Sequence, residues 1–291
     1  MGGGLLEFSF KDGIENKDLN MSKLSKYVAH SPLADGTIPY TAEENKVWEK
    51  LYRRQEKIIV NRACDEFIEG LEKLNLSKTR IPQPTEVSDA LMRETGWAVE
   101  PVEAVIPAKE FFTLLANKKF PAASFIRTFD EIDYLQEPDI FHEVFGHCPL
   151  LTNQHYADFV EKYGKLALEA TPQQRKFLFR VFWFTVEFGL IATREGHKVY
   201  GGGILSSFKE TISALDHENG AKYCNFTIQQ ALRTPFIINK VQNLYFVIHS
   251  FKEMHNILDR DIMPLIDEAI ELGDYPPSFD YNPEDKDARY N

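Results

Sequence analysis

Apolar positions recur three and four apart from Val47 onward, through Trp48, Leu51, Ile58, Ile59, Phe67, Leu71 and Leu74. This spacing predicts a long helical region. Thr41-Ala42-Glu43-Glu44 opens it with a capping box, in which the threonine and the third-residue glutamate satisfy each other's backbone N–H. Ser77 to Pro84 ends the region. Thr85 to Glu94 predicts a short helix stopped by Gly96, and Trp97 to Ile106 is strand-like but divided by Pro101. A proline has no N–H for a ladder, so the second stretch reads as an edge strand. Pro107 suits the first turn of a helix carrying Phe111, Phe112, Leu114 and Leu115, and Phe120 to Ile126 then runs extended into Arg127. Tyr156 to Leu168 is amphipathic, and Thr171-Pro172-Gln173-Gln174 starts the helix that bears Glu187. Leu244 to Leu258 reads as a further helix, with Pro264 interrupting its continuation. The fold class is therefore mainly α, a single domain with a few short β-strands around one site. Residues 1–37 read as a loosely held extension, 38–274 as the folded unit, and 275–291 as a proline-rich, acidic tail.

Composition narrows the function classes. The 291 residues are 43% apolar and include 22 Phe, ample material for a buried core. A formal charge of −11 argues against nucleic acid and against an anionic membrane as partners. No apolar stretch reaches membrane-spanning length, because Arg180 and Glu187 break the longest aromatic run. Cys64, Cys148 and Cys224 lie far apart, without a paired-cysteine motif, which fits a reducing compartment. With no basic, then apolar, N-terminal leader, the expected location is the cytoplasm.

The chemistry concentrates in Pro138-Asp139-Ile140-Phe141-His142-Glu143-Val144-Phe145-Gly146-His147-Cys148-Pro149. Five residues on a regular helix turn through about 140°, so His142 and His147 would not share a face. They converge if the helix ends between them, which Gly146 permits and Pro149 favours. The spacing also differs from the zinc-protease helix, where the histidines stand four apart. As single residues the histidines read better as hydrogen-bonded core groups. Brought together, they read as metal ligands. Glu187 lies in an almost wholly apolar run, Phe177 to Ile191, where an ionised carboxylate needs a cation. Arg180 or Arg127 would serve. So would a metal shared with the two histidines, in the two-His-one-carboxylate arrangement of non-haem Fe(II).

The segments PDIFHEVFGHCPLL, FWFTVEFGL and YGGGILSSF resemble the catalytic domain of the tetrahydropterin-dependent aromatic amino-acid hydroxylases. The resemblance runs from about Ile38 to Asp274 and implies that family's iron-centred, mainly helical fold. It implies conversion of L-phenylalanine to L-tyrosine, with dioxygen and a tetrahydropterin that gives two electrons. Matched residue by residue, His142, His147 and Glu187 fall on the iron ligands, and Arg127 on the arginine that receives the amino-acid carboxylate. Pro138, Trp183, Phe188, Gly203 and Ser206 fall on the amino-acid pocket. Phe111 matches the pterin-stacking phenylalanine, and Glu143 a catalytic, non-ligand glutamate beside pterin and dioxygen. Three positions depart from family patterns: Leu135 near the substrate, and Phe182 and Ala108 near the pterin. Ile238 stands where tyrosine hydroxylases carry an aspartate. No sustained heptads follow Pro264, so the chain is expected as a monomer or weak homodimer.

Two rivals remain on sequence grounds. One is a zinc hydrolase using the same ligands with Glu143 as base, which the histidine spacing disfavours. The other is a helical binding module around a structural metal, disfavoured because structural zinc takes four ligands, often with cysteine.

Overall fold

A computed structural model describes residues 27–279, except 103–105, 134, 136, 217–219 and 239. Most of the proposed N-terminal extension and C-terminal tail lie outside these residues. The described part of the extension is held rather than loose. Tyr27 stacks on Phe125 with ring centroids 4.7 Å apart, and Ser124 Oγ donates to the His30 carbonyl at 2.7 Å.

The capping box at Thr41 forms as expected and opens α1 (Ala42–Ile58). The long helix does not continue to Leu74. It breaks at Ile59 to Cys64, with Asn61 at φ 62°, and resumes as α2 (Asp65–Leu74). The break is bonded to a distant strand: Cys64 N–H donates to the Val199 carbonyl, and Val199 N–H to that of Arg62. A partner so far along the chain leaves no trace in local periodicity.

Helix α3 (Pro84–Glu94) leads to β1 (Ala98–Val102), α4 (Ala108–Ala116) and β2 (Lys119–Ala123). Pro107 stands just before α4, as its N-cap rather than in its first turn. Strands β1 and β2 pair in parallel as a two-stranded sheet, so Pro101 lies in an edge strand as its missing N–H requires. Strand β2 delivers the chain to Arg127. After the metal-motif segment come α5 (Gln154–Glu169) and α6 (Pro172–Phe182), the latter opened by the predicted Thr171–Gln174 box.

A second sheet, of four strands, backs the site. It contains β3 (Leu190–Thr193), β4 (Gly196–Val199), then, after α7 (Gly202–Leu205) and α8 (Phe208–Ser213), β5 (Lys222–Asn225). Helix α9 (Ile228–Arg233) precedes β6 (Leu244–Ile248), and the strand order is β4-β3-β6-β5. The expected helix over Leu244–Leu258 is therefore corrected to a strand followed by α10 (Phe251–Ile257). Strand β6 pairs in parallel with both β3 and β5, and its last four residues are buried. A parallel strand covered on both faces reads as a continuous apolar run, which periodicity alone does not separate from a helix. Pro264 sits in the first turn of α11 (Met263–Leu272), starting a helix rather than ending one. Gly196 turns the exposed β3–β4 hairpin and does not approach the motif, whereas Gly202 does. Cys64 and Cys148 are buried free thiols, and Cys224 is free and partly buried. No helix among the described residues is long and apolar enough to cross a membrane.

Candidate metal centre

The histidine motif does not end a helix between its two imidazoles. His142–His147 is a π-helical segment, in which hydrogen bonds run to the fifth residue and bring residues five apart over one another. Asp139 starts it. Its carboxylate Oδ1 accepts the His142 backbone N–H at 3.0 Å, the third-residue contact of an N-cap. The result is convergence of the two rings, with Nε2 of His142 and Nε2 of His147 3.1 Å apart. Glu187 comes from a second π-helical segment, Trp183–Glu187, which continues α6. Its Oε1 is 3.4 Å from His147 Nε2 and its Oε2 3.8 Å from His142 Nε2.

Neither proposed arginine meets Glu187. Arg180 is clasped by Asp274, with Nη1 and Nη2 donating to the two carboxylate oxygens at 2.6 and 2.9 Å. Arg127 is held by Asp139. Glu187 is 1% exposed, and its Oε2 has no hydrogen-bond donor. The three residues are the group of His, Cys, Asp and Glu among the described residues whose donor atoms gather closely enough for one ion, all within 4.8 Å of one another.

Protonation suits a cation. Burial lowers the His142 imidazole to about 3, against the opposing pull of Glu187, leaving its nitrogen free to coordinate. Burial would raise Glu187, but His147 and His142 outweigh it and hold the carboxyl below its ordinary range. Two nitrogens each about 2.1 Å from one metal, at right angles, would stand about 3 Å apart, close to the observed separation. The donor set therefore fits a divalent metal. Among first-row metals, two histidines and one carboxylate on a single face suit non-haem Fe(II) with open positions.

The surroundings orient the ligands unequally. Ser206 Oγ is 2.9 Å from His142 Nδ1, so with Nε2 turned to a metal, Nδ1 carries the proton and donates to the serine. His147 Nδ1 has no partner; the Gly202 backbone covers it so closely that a Cβ there would lie 2.4 Å away. Gly146 meets the same loop from the other side, its missing Cβ 2.6 Å from the Gly202 carbonyl oxygen. Phe120 of β2 lies over the His147 ring, with centroids 5.1 Å apart. These close approaches give Gly202 a physical reason, and Gly201 has its own, a Cβ there lying 2.3 Å from the Glu187 carbonyl oxygen.

Around the trio stand the other predicted residues. Arg127 is 8% exposed; its Nε donates to Asp139 Oδ2 at 2.8 Å and one terminal nitrogen to Oδ1 at 2.9 Å. Trp183 is fully buried between Phe188, centroids 4.5 Å apart, and Phe236, stacked at 4.1 Å. Pro138 is buried beside Asp139, and Gly203 is buried in α7 directly before Ile204. Glu143 is buried, and burial, with Glu187 and Asp139 adding repulsion, pushes its carboxyl well above the ordinary range. Phe111 lies on α4 and meets Phe182, the residue before Trp183, edge to face at 5.7 Å. Sequence reasoning missed Asp139. Asp139 was findable, because an Asp three residues before the first ligand and ahead of an apolar run is an N-cap signature.

Comparisons with known proteins agree with this chemistry. The family model described as biopterin-dependent aromatic amino acid hydroxylase matches residues 15–271. Phenylalanine-4-hydroxylase of Pseudomonas aeruginosa is 49% identical over 257 residues, covering 88% of this chain and 97% of the relative. The solved phenylalanine hydroxylase of Legionella pneumophila superposes with a TM-score of 0.85 at 49% identity, covering 87% of this chain and 100% of that one. The Chromobacterium violaceum enzyme with bound iron(III) and oxidised 7,8-dihydrobiopterin gives a TM-score of 0.79 at 40% identity, over 90% and 95% of the two chains.

Proposed function

This chain belongs to the biopterin-dependent aromatic amino acid hydroxylases, and from there we propose how its residues act. It is a phenylalanine 4-monooxygenase, converting L-phenylalanine to L-tyrosine with dioxygen and a tetrahydropterin at a mononuclear non-haem iron. The observation that carries this reading is the convergence of His142, His147 and Glu187, with a buried carboxylate oxygen left without a donor. His142, His147 and Glu187 hold the iron. When bound, the iron and the two electrons of the reduced pterin would activate dioxygen, the oxidant, to a reactivity that no side chain supplies.

The chain's own residues bind, orient and exclude water. Arg127 receives the substrate carboxylate. Asp139 occupies Nε and one terminal nitrogen of its fork, which leaves the other terminal nitrogen as donor. Trp183, Phe188, Pro138, Gly203 and Ser206 line the amino-acid pocket, and their burial keeps the reacting ring dry. Phe111 stacks on the pterin. Glu143 acts beside pterin and dioxygen without binding the metal; burial favours its protonated form, which has an O–H able to donate. Residues 38–274 make up the catalytic unit, flanked by an extension and a tail. The enzyme works in the cytoplasm as a monomer or weak homodimer.

Ring preference follows from an apolar group at Ile238, which offers no partner to a phenol hydroxyl. Burying that hydroxyl unpaired costs roughly 1–3 kcal/mol, a preference for phenylalanine over tyrosine of about one to two orders of magnitude. The test is tyrosine formation from phenylalanine with added ferrous iron and reduced pterin, alongside turnover of tyrosine and tryptophan. Phenylalanine should be best, tyrosine poor, and tryptophan slow or inactive. Absence of turnover by anaerobically prepared, iron-loaded protein would overturn the assignment. A tyrosine kcat/KM equal to that of phenylalanine would overturn only the ring preference.

A further inference from the structure

Gln242 is a buried residue outside the metal centre with every polar atom engaged. Its side-chain Nε2 donates to the carbonyls of Ile237, at 2.6 Å, and Lys240, at 3.0 Å. Both donors are thereby committed, which fixes the amide orientation and leaves Oε1 free to accept. Oε1 accepts the indole N–H of Trp183 at 3.3 Å. Its backbone N–H bonds to the Glu210 carboxyl, and its carbonyl accepts the Tyr245 hydroxyl at 3.1 Å. A buried indole N–H needs such an acceptor, and no other acceptor contacts Trp183 Nε1 within hydrogen-bond distance among the described residues. The residue thus ties one end of β6 and α8 to Trp183, and ties Trp183 to the backbone at Ile237.

The same backbone carries Phe236, whose ring stacks flat on Trp183 at an interplanar angle of 13°. One amide therefore sets the rotation of the indole and the position of the aromatic residue lying on it. Resting on the assignment of Trp183 to the amino-acid pocket, we propose that Gln242 is a positioning residue for ring size. By locking Trp183 and the Phe236–Ile237 backbone in one register, it keeps the pocket to the width of a single six-membered ring. Without the lock the indole turns and the Phe236 backbone shifts outward, admitting a bicyclic ring and holding a phenyl ring loosely.

The experiment compares wild type, Gln242→Leu and Gln242→Glu. Kinetics with phenylalanine and tryptophan are paired with calorimetric binding of both amino acids to the Co(II)-substituted proteins, which needs no turnover. In Gln242→Leu, the phenylalanine-to-tryptophan ratio of kcat/KM should fall at least tenfold, mostly through a raised KM for phenylalanine. The ratio of dissociation constants should narrow in step, with metal content unchanged. Gln242→Glu keeps an acceptor for the indole and nearly the same volume, and should recover part of the selectivity. Both substrates weakening in proportion, at an unchanged ratio, would mean a merely structural role and overturn the proposal. If Gln242→Leu does not fold, Gln242→Glu decides alone, because it keeps the indole acceptor and removes both donors to the Ile237 and Lys240 carbonyls: a narrowed ratio of dissociation constants supports the lock, and an unaltered ratio overturns it. Wild-type protein that forms no tyrosine would instead sink the hydroxylase assignment itself, a failure separate from that of Gln242.

Discussion

The metal trio and the Arg127–Asp139 pair are two buried charged regions joined by one carboxylate. Asp139 accepts from the backbone of His142 on one side and from the guanidinium of Arg127 on the other. They are built on opposite terms. In the trio, three donors point at one spot and a carboxylate oxygen is left over. In the pair, acid and base match each other through two parallel hydrogen bonds. Buried charge without a partner is costly, so the first arrangement persists because a cation completes it. The second is complete as it stands. An incomplete polar cluster calls for a cation, and a complete one beside it does not.

The comparison breaks most directly at the trio. His142→Ala, His147→Ala or Glu187→Ala should abolish hydroxylation and iron retention together, as read by metal analysis of the purified variants. Glu143→Ala should keep its iron and lose coupling of pterin oxidation to tyrosine formation. Iron kept by Glu187→Ala and lost by Glu143→Ala would exchange their roles. At the pair, Asp139→Asn leaves an uncompensated buried guanidinium, a disruption on the order of 3–5 kcal/mol. Asparagine still caps a helix, so the metal segment should survive. The expected result is a lower denaturation midpoint and a KM for phenylalanine raised at least tenfold, with iron content intact. Loss of iron in Asp139→Asn would show that the two regions are not separable.

A smaller effect sharpens the contrast inside the trio. His142 is backed by the Ser206 hydroxyl, and His147 only by the Gly202 backbone. Removing a hydrogen-bond partner of a metal-bound histidine typically weakens the metal by about 10–100-fold. Ser206→Ala should therefore lower iron affinity within that range by competition with a chelator, while the protein keeps its fold. An unchanged affinity would mean that packing alone orients His142.

Much of this site was legible from residue types, and the reason is physical. Two histidines and a glutamate in apolar surroundings state their own need for a cation, whatever backbone carries them. The backbone itself was less legible. A five-residue spacing on an α-helix separates the rings, so a helix end was expected where a π-helical segment stands. The break after α1 depends on backbone bonds to Val199, and the strand character of Leu244–Ile248 on pairing with β3 and β5. Each is decided by a partner far away in sequence. Capping boxes at Thr41 and Thr171 were read correctly because both halves of the interaction lie within four residues.

Glu210 shows a third way to bury an acid, and gives the gentlest test. It is 1% exposed and accepts from the Tyr245 hydroxyl at 3.2 Å and from the Gln242 backbone. With neither a metal nor a base against it in those contacts, burial raises its pKa to about 8. The folded protein thus holds it protonated where the unfolded chain, with an ordinary value near 4.5, has released the proton. Its contribution to stability is fully present below pH 4.5 and is lost as pH rises toward 8, with a slope of at most about 1.4 kcal/mol per pH unit. Glu210→Gln removes the titration while its amide oxygen still accepts from the Tyr245 hydroxyl. Thermal unfolding of both proteins between pH 5 and 8 should show the variant gaining on wild type as pH rises, then a constant difference above pH 8. Parallel curves across that window would mean that Glu210 stays ionised in the fold, satisfied by its donors in the way Asp139 is satisfied by Arg127.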